Sequence, residues 1–251
     1  MRLEQAVIFA GGRGERLRPV TDHLPKPMAP VNGEPFLNFL IQSLCAVDIR
    51  RVLLLVGYRH EVIVDYYRRN DFGSFTPDFS IGTAEDQTGR RLLNAYGKLD
   101  DRFLLLYGDN YWPIELPGML KHFERTRALV SATVFRNAQG TGEYGLQNNV
   151  EVGPDGKIIR YDRARAAKTL NGTDIGYFVV DKTILDPKLE GNISFEEHYL
   201  PTLIERGELA GFLTDRQYHY ITELKSLKAF EEFVTKNSIP SVLSELGSRG
   251  C

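Results

Sequence analysis

Three short apolar runs in the first half of the chain each stop at a glycine. Uninterrupted apolar runs of this length are typical of strands in a parallel sheet, whose two faces are both covered. Between them, apolar residues recur at helical spacing. The runs span residues 6–10, 52–56 and 103–107, and the helical spacing occurs at residues 36–44, 62–66 and 92–96. This alternation predicts an α/β fold with a doubly wound, mostly parallel, Rossmann-like sheet.

The pattern of the second half differs and predicts an antiparallel extension of the sheet. The turn signal Gly153-Pro154-Asp155-Gly156 lies between two stretches of strand-forming residues and predicts a hairpin. Ser194, followed three residues later by Glu197, predicts a capped helix start. A further strand is predicted at residues 175–180 and an amphipathic helix at residues 224–233.

Composition narrows the possible function classes. The 251 residues carry a net charge of −2, which gives no electrostatic reason to expect nucleic acid as a partner. The two cysteines, Cys45 and Cys251, lack the spacing of a metal site, and a structural disulfide between them is not expected. Because no apolar run reaches membrane-spanning length, we expect a cytoplasmic protein with no membrane partner.

The strongest chemical signal is the segment Ala10-Gly11-Gly12-Arg13-Gly14-Glu15-Arg16-Leu17, directly after the first predicted strand. Glycines let backbone N–H groups approach phosphate oxygens, and arginines neutralise phosphate charge. Lys26 follows between Pro25 and Pro27, on stiff backbone suited to holding an ammonium group at a phosphate. The segment is neither a dinucleotide fingerprint nor a Walker loop. A tight turn with solvated arginines is the alternative interpretation.

Ordered motifs between residues 10 and 109 resemble the signature of sugar-1-phosphate nucleotidyltransferases. They are the glycine-rich segment, then Leu24-Pro25-Lys26-Pro27-Met28, Pro35-Phe36-Leu37, Val56-Gly57-Tyr58 and Tyr107-Gly108-Asp109. The first half is most similar to bacterial heptose- and mannose-1-phosphate guanylyltransferases. The resemblance implies joining of a nucleoside triphosphate to a sugar 1-phosphate, giving a nucleotide-sugar for polysaccharide biosynthesis and pyrophosphate. We expect one domain over residues 1–251, with a nucleotide-binding half at 1–135 and a sugar-binding half with a C-terminal helix at 136–251.

The resemblance also implies a role for each matching residue. Arg16 stabilises the triphosphate and the departing pyrophosphate, Lys26 holds the phosphates in line for attack, and Asp109 coordinates Mg²⁺. Such chemistry depends on positioning and charge neutralisation, which cations and a metal supply. The residues expected to bind the nucleotide are Ala10, Gly11, Gly12, Arg13, Gly14, Thr88, Gly89, Arg91 and Gly108. Those expected to bind the sugar are Tyr144, Gly145, Arg163 and Asp174.

The segment expected to read the base departs from the guanylyltransferase pattern. Residues 88–92 read Thr-Gly-Arg-Arg-Leu and look like the Thr-Gly-Gly-Arg-Leu of glucose-1-phosphate cytidylyltransferases, with Arg91 at the arginine of that pattern. An arginine can donate to acceptors of either cytosine or guanine. We therefore expect CTP first and GTP second. The alternative is that Arg90 and Arg91 form a solvated pair at a helix start.

Two further family motifs are missing. In place of Glu-Lys-Pro the chain has Tyr161-Asp162-Arg163-Ala164, so that either Arg163 or Lys168 is the candidate cation. In place of a second metal-binding aspartate the chain has Thr222, followed by Glu223. Glu223 is either a second metal ligand or a helix-start residue, and His219 is expected to be a surface or packing residue.

The sequence thus predicts Mg²⁺-dependent nucleotidyl transfer to a sugar 1-phosphate and leaves the sugar and homo-oligomer formation open. The first alternative, motivated by the missing motifs, is a catalytically silent subunit that binds a nucleotide-sugar. The second is a glycosyltransferase. It would require an Asp-x-Asp metal motif, and the third predicted strand instead ends at Gly108-Asp109-Asn110.

Overall fold

The computed structural model describes residues 2–70, 72 and 75–242, so Cys251 lies outside the described part of the chain. The strands are β1 (Gln5–Ala10), β2 (Pro30–Val31), β3 (Glu34–Pro35), β4 (Arg51–Val56), β5 (Thr76–Ile81), β6 (Arg102–Tyr107), β7 (Asn110–Tyr111), β8 (Val130–Phe135), β9 (Val150–Val152), β10 (Ile158–Tyr161), β11 (Thr173–Asp181), β12 (Leu209–Thr214) and β13 (His219–Tyr220). The α-helices are α1 (Phe36–Cys45), α2 (His60–Arg69), α3 (Thr88–Asn94), α4 (Leu116–Thr126), α5 (Leu200–Glu205) and α6 (Leu224–Asn237).

Two compact units are built from alternating segments of the chain. Unit A comprises Glu4–Asp86, Tyr107–Ile114 and His219–Cys251, and unit B comprises Met1–Leu3, Gln87–Leu106 and Glu115–Tyr218. The predicted division at residue 135 is linear along the chain, and the assignment of nucleotide and sugar to those two halves stays a prediction.

Unit A contains a parallel arrangement of β1, β4 and β5. Ala10 lies opposite Val56, and Val56 lies opposite Ile81, so that the carboxyl ends of the three strands meet at one edge. All six residues of β1 are buried, and five of them form the uninterrupted apolar run of residues 6–10. The predicted helix at residues 36–44 is α1, whose Phe36 ring packs edge-on against Phe230 of α6 at 4.9 Å.

Unit B contains the antiparallel part of the fold. Strand β11 pairs antiparallel with both β6 and β8, and β8 pairs parallel with β12. The hairpin predicted around Gly153-Pro154-Asp155-Gly156 forms from β9 and β10. The predicted α/β class, with a mostly parallel sheet and an antiparallel extension, is confirmed. The sequence did not predict β5, β8, β12 or α4.

The helix start predicted at Ser194 also forms. The Ser194 hydroxyl accepts a hydrogen bond from the backbone N–H of Glu197 and begins a π-helical turn, Phe195–Tyr199, which leads directly into α5. A π-helical turn widens the backbone spacing and is frequent at functional sites. In the described residues, no helix is both long enough and apolar enough to cross a bilayer.

Candidate functional site

Gly14 of the glycine-rich loop that follows β1 packs directly against the side chain of Lys26. Gly14 has a φ of +63°, and a Cβ atom added there would lie 2.8 Å from the Cβ atom of Lys26. The Thr21 hydroxyl donates to the Gly14 carbonyl at 2.9 Å, and the Tyr58 N–H donates to the Gly11 carbonyl at 2.9 Å. Glycine alone combines a left-handed backbone with so close an approach at low cost. The loop conformation and the lysine position therefore depend on each other.

Gly12 in the same loop lies open. A Cβ atom added at Gly12 would meet no heavy atom of the described residues within 4 Å, and the residue is exposed. The fold therefore does not demand glycine here. A phosphate approaching the backbone N–H groups would demand it, because a side chain would obstruct the approach.

Lys26 and Asp109 form an ion pair between positions 83 residues apart in the sequence. The Nζ atom of Lys26 donates to Oδ2 of Asp109 at 2.6 Å, and the side chains are 11% and 30% exposed. Lys26 begins a 3-10 turn, Lys26–Met28, whose preceding residue is Pro25, so the backbone that carries the ammonium is stiff. The structure thus brings two of the three predicted catalytic residues into contact within unit A.

Gly108 holds Asp109 at the end of β6 through close backbone contact. Its N–H donates to the Phe9 carbonyl at 3.0 Å, and a Cβ atom added to Gly108 would lie only 2.5 Å from that same oxygen. The Cγ atom of Pro27 would lie at 3.2 Å. A side chain at this position would therefore push the Asp109 segment away from β1 and from the lysine turn. Gly108 has a steric role whether or not it also contacts a nucleotide.

The segment that contains Thr222 and Glu223 lies beside Asp109. Strands β7 and β13 pair antiparallel, and the Ile221 N–H donates to the Asp109 carbonyl at 3.0 Å. Thr222 is buried, whereas Glu223 is exposed and is the N-cap of α6, where it shares a capping box with Ser226. This is the helix-start role that the sequence offered as one alternative. The metal-ligand role of Glu223 stays a prediction.

The two arginines of the glycine-rich loop have different surroundings. Arg13 pairs with Glu85 and lies over the Tyr58 ring at 5.6 Å from its centre. Its hydrogen bond holds the pKa of Glu85 below the ordinary value. Arg16 lies in a 3-10 turn, Glu15–Leu17, and is exposed. Arg13 is thus anchored within unit A, and the phosphate-binding roles of both arginines stay predictions.

The predicted base-reading segment is the first turn of α3, in unit B. Thr88 is the first helical residue, and its hydroxyl donates to Glu196 and accepts from the Phe195 N–H, both at 2.8 Å. A Cβ atom added to Gly89 would lie 2.9 Å from the Ile193 carbonyl. These contacts give Thr88 and Gly89 a packing role inside unit B, and their contact with a base stays a prediction.

The neighbouring arginines are not a solvated pair. Arg91 is only 5% exposed, which excludes a solvent-facing position for its side chain. The guanidinium group of Arg90 donates to the carbonyls of Gly191 and Leu189 at 2.5 and 2.9 Å. The solvated alternative is therefore wrong, because α3 lies against the segment of residues 189–196.

The four predicted sugar-binding residues all belong to unit B. Tyr144 is 42% exposed, and the guanidinium of Arg165 stacks over its ring at 4.0 Å. Gly145 has a φ of +60°, and its carbonyl accepts from the Asn137 amide at 2.8 Å. Arg163 is exposed and pairs with the exposed Glu197. Its sugar-phosphate role stays a prediction, as does that of the exposed Lys168.

Asp174, the fourth of these residues, is half-buried rather than solvent-facing. Its carboxylate accepts from the Tyr161 hydroxyl at 3.0 Å and from the Gly176 N–H at 2.9 Å. Burial raises the pKa of Asp174 to about 6, against 3.8 for an ordinary aspartate. Burial and the neighbouring carboxylate also raise the pKa of Tyr161. Both groups thus act as a hydrogen-bonded pair near neutral pH.

An open groove in unit B has a volume of about 780 Å³ and is lined by both charged and apolar side chains. Its lining residues include Tyr161, Arg163, Glu196 and Glu197. Of the predicted sugar-binding residues, Arg163 therefore borders a concave surface of ligand size.

His219 is a packing residue, as the sequence predicts. Its ring stacks on Phe233 with centres 3.8 Å apart and an angle of 26° between the planes. Burial lowers the pKa of His219 to about 4, so the imidazole is neutral at physiological pH. A general acid–base role would require a pKa closer to neutrality.

The sequence interpretation gave no role to two residues that the structure places in contact with candidate residues. Tyr58 supports the glycine-rich loop through its backbone and ring, and its hydroxyl donates to the Thr21 carbonyl at 3.0 Å. Glu196 binds the Thr88 hydroxyl. Tyr58 lies in the Val56-Gly57-Tyr58 motif and Glu196 in the helix-start motif, so both motifs were visible, but neither indicated a tertiary partner.

The chain is similar over most of its length to proteins of known family. The family described as "Nucleotidyl transferase" matches residues 5–218. A D-glycero-alpha-D-manno-heptose 1-phosphate guanylyltransferase of Aneurinibacillus thermoaerophilus is 27% identical over 85% of this chain and 91% of the relative. A protein of Bacillus subtilis named "Probable glucose-1-phosphate cytidylyltransferase" is 27% identical over 89% of this chain and 92% of the relative.

Two further matches differ in length and in the kind of similarity. The bifunctional protein GlmU of Methanocaldococcus jannaschii is 30% identical over 88% of this chain, which spans 47% of that relative. The crystal structure of HddC from Yersinia pseudotuberculosis complexed with GMP-PN superposes with a TM-score of 0.76 at 23% identity. The superposition covers 92% of this chain and 100% of HddC, and it supports the fold.

Proposed function

Because the chain belongs to the nucleotidyl transferase family, we propose that it condenses a nucleoside triphosphate with a sugar 1-phosphate to give a nucleotide-sugar and pyrophosphate. The observation that carries this proposal is the Lys26–Asp109 pair, held against the glycine-rich loop in unit A. The names of the guanylyltransferase and cytidylyltransferase relatives support the substrate class. We place the enzyme in the cytoplasm, in the biosynthesis of polysaccharides.

In the proposed reaction a phosphate oxygen of the sugar 1-phosphate attacks the α-phosphorus of the nucleoside triphosphate. One P–O bond forms, the bond to the β-phosphate breaks, and pyrophosphate leaves with the electron pair. The chain holds the phosphates in place and neutralises their charge, which are the main requirements of such transfers. The backbone around Gly12 receives the triphosphate, and Arg16 stabilises the departing pyrophosphate.

Among the three predicted catalytic residues, Lys26 has the side chain that is best oriented to bind a phosphate. Its ammonium is nearly buried and fixed by a carboxylate, so little conformational freedom is lost when a ligand binds. A phosphate oxygen at this position accepts a hydrogen bond from an ammonium that is already oriented. This arrangement stabilises the negative charge of the reacting group more effectively than a flexible surface lysine does.

The residues present fit a magnesium ion that is held jointly with the substrate. Mg²⁺ often takes only one or two carboxylates and completes its shell with phosphate oxygens and water. Asp109 supplies one partly exposed carboxylate, and within the described ranges no group of three or more His, Cys, Asp or Glu side chains is arranged to hold a metal alone. When bound, Mg²⁺ would neutralise phosphate charge and polarise the P–O bonds. Asp109 would hold the ion, and Lys26 orients the Asp109 carboxylate.

Within unit B we propose Arg91 as the residue that distinguishes the bases, with CTP as the first choice and GTP as the second. A buried arginine that loses its acceptor on entry of the wrong base leaves unpaired donors, which is costly. For the sugar we propose Tyr144, Gly145, Arg163 and Asp174, and homo-oligomer formation stays open.

The test is a screen for pyrophosphate release that crosses CTP, GTP, UTP and dTTP with hexose and heptose 1-phosphates. The parent chain should release pyrophosphate with at least one pair in the presence of Mg²⁺. Asp109→Asn removes the charge without changing the shape, and it should reduce the rate by about 100-fold or more. Asp155→Asn is the matched control, because Asp155 is an exposed aspartate of the β9–β10 turn.

Three outcomes decide the proposal. Near-normal turnover of Asp109→Asn at saturating Mg²⁺ would exclude the role of Asp109. Nucleotide binding without pyrophosphate release, for every pair in the screen, would favour the catalytically silent subunit. An Arg91→Ala variant with unchanged base preference would remove Arg91 from base recognition and leave the reaction itself intact.

A further inference from the structure

The carboxylate of Glu196 connects the start of α3 to the π-helical turn that follows Ser194. The hydroxyl groups of Thr88 and Ser194 both donate to the same oxygen, Oε2, at 2.8 and 2.6 Å. The Thr88 hydroxyl in turn accepts from the Phe195 N–H at 2.8 Å. The hydroxyl of Thr88 therefore uses its single donor and one of its two acceptor sites within unit B.

Backbone contacts extend the same connection on both sides of Thr88. The Gln87 N–H donates to the Asn192 side chain at 2.7 Å, and the Arg90 N–H donates to the Ile193 carbonyl at 3.0 Å. Gly89 lies so close to Ile193 that any side chain would clash with its carbonyl. Each residue from 87 to 90 thus contacts the segment of residues 192–196, and these contacts fix the first turn of α3 in unit B.

Glu196 is the ionisable member of this arrangement. The residue is half-buried, and burial raises the pKa of its carboxyl group. Hydrogen bonds to a charged carboxylate are stronger than those between neutral groups. A buried charge also makes it costly for its partners to move, because they would leave the charge without donors. Glu196 therefore fixes the backbone of α3 more firmly than a neutral residue could.

Arg91 lies in the helical turn that this arrangement holds. Its N–H donates to the Gln87 carbonyl at 3.0 Å, and its side chain is buried. The direction of a buried side chain follows from the backbone that carries it. A small rotation at the start of α3 therefore displaces the guanidinium group, although Glu196 itself need not touch the ligand.

From these contacts we infer that Glu196 is a positioning residue for base selection, acting through Thr88 on the first turn of α3. This inference rests on the proposed function, because it explains how the proposed base-reading segment is held in position. It also changes the expected role of Thr88, whose hydroxyl holds the helix start and does not read the base.

The test compares conservative and disruptive variants of the same contacts. Thr88→Val removes the hydroxyl at nearly constant shape, whereas Thr88→Ser retains it; Glu196→Gln removes the charge. Glu190→Gln is the matched control, because Glu190 is an exposed glutamate of the neighbouring segment. For each variant, kcat and KM are measured with the preferred sugar 1-phosphate and each of CTP, GTP, UTP and dTTP, together with the thermal midpoint.

Glu196→Gln and Thr88→Val should raise KM for the preferred nucleotide by about tenfold or more, which corresponds to losing a hydrogen bond to a charged group. They should also reduce the preference between bases, while Glu190→Gln retains the parent values. Thr88→Ser, which keeps the hydroxyl, should recover most of the base preference that Thr88→Val loses. A purely structural role would lower the thermal midpoint and leave the base preference unchanged, and this result would overturn the inference.

Failure of the inference can be separated from failure of the proposed function. An active parent whose base preference survives both Glu196→Gln and Thr88→Val overturns the inference alone. A parent that neither releases pyrophosphate nor binds any of the four nucleotides overturns both. If Thr88→Ser behaves like Thr88→Val, the hydroxyl is not the determinant, and the inference is also wrong.

Discussion

The substitution Gly108→Ala tests whether close packing at the end of β6 places Asp109. An added Cβ atom would lie 2.5 Å from the Phe9 carbonyl oxygen, whereas ordinary contacts begin near 3.4 Å. The two backbone segments must therefore separate by up to about 0.9 Å, the difference between these two distances. The displaced carbonyl is also the acceptor of the Gly108 N–H, so that hydrogen bond is strained as well.

The expected cost follows from this geometry. Overpacking a rigid site typically lowers the unfolding free energy by about 1–3 kcal/mol. Replacing glycine by alanine also raises it by about 0.4–1 kcal/mol, because the unfolded chain has less conformational entropy. The net loss is therefore up to about 2.6 kcal/mol, which for a chain of this length corresponds to a fall in thermal midpoint of up to roughly 10 °C. Displacement of Asp109 by a substantial fraction of an ångström should reduce the rate of the folded enzyme by up to about 100-fold.

The assay combines thermal unfolding with initial rates of pyrophosphate release, expressed per folded molecule. Gly97→Ala is the control for stability, because a Cβ atom there meets no described heavy atom within 4 Å. Gly12→Ala is the complementary variant, since its site is sterically open. It should retain the parent midpoint but raise KM for the nucleotide about tenfold, because the methyl group obstructs phosphate approach. Parent-like kcat/KM in Gly108→Ala would refute the reasoning.

Three further predictions concern pH and helix capping. Between pH 6.5 and about 4 the folded state binds fewer protons at His219 than the unfolded state does, so stability is lost as pH falls through this window. The variant His219→Phe, which keeps the stack on Phe233, should therefore lose less unfolding free energy than the parent between pH 7 and 4.5, as measured by urea titration. Equal losses in the two proteins would contradict this prediction. The raised pKa of Asp174 means that its contribution is present below pH 3.8 and is lost as pH rises through about 6. The thermal midpoint of Asp174→Asn should therefore rise relative to the parent from pH 4 to pH 7, and a constant difference would disprove the assignment. Glu223→Ala should lower the unfolding free energy by about 1 kcal/mol through loss of the cap. If Glu223 is also the predicted second metal ligand, the Mg²⁺ concentration that gives half-maximal rate should rise in the same variant, and an unchanged Mg²⁺ requirement would exclude that role.

The sequence by itself predicted the features that depend on local pattern. The apolar run of residues 6–10, bounded by Gly11, is typical of a buried strand, and the turn residues between β9 and β10 specify a hairpin over a few positions. The glycine-rich loop and Lys26 are likewise close in sequence, so their chemistry was recognisable. Strand β5 was missed because Pro77 and Asp78 are poor strand formers, and pairing with β4 overrides that preference.

Tertiary structure decided the features that join distant positions. The ion pair between Lys26 and Asp109 and the contact between Thr88 and Glu196 connect residues 83 and 108 positions apart, and no periodicity reports which side chains meet across such distances. The same holds for Arg91: the neighbouring arginine suggested a solvated pair, whereas the folded chain leaves only 5% of Arg91 exposed. Strand and turn propensities act over a few residues, whereas the packing of whole elements decides which side chains are buried and which side chains meet. The sequence therefore indicated which residues could bind phosphate and metal, and the fold supplied the contacts between them.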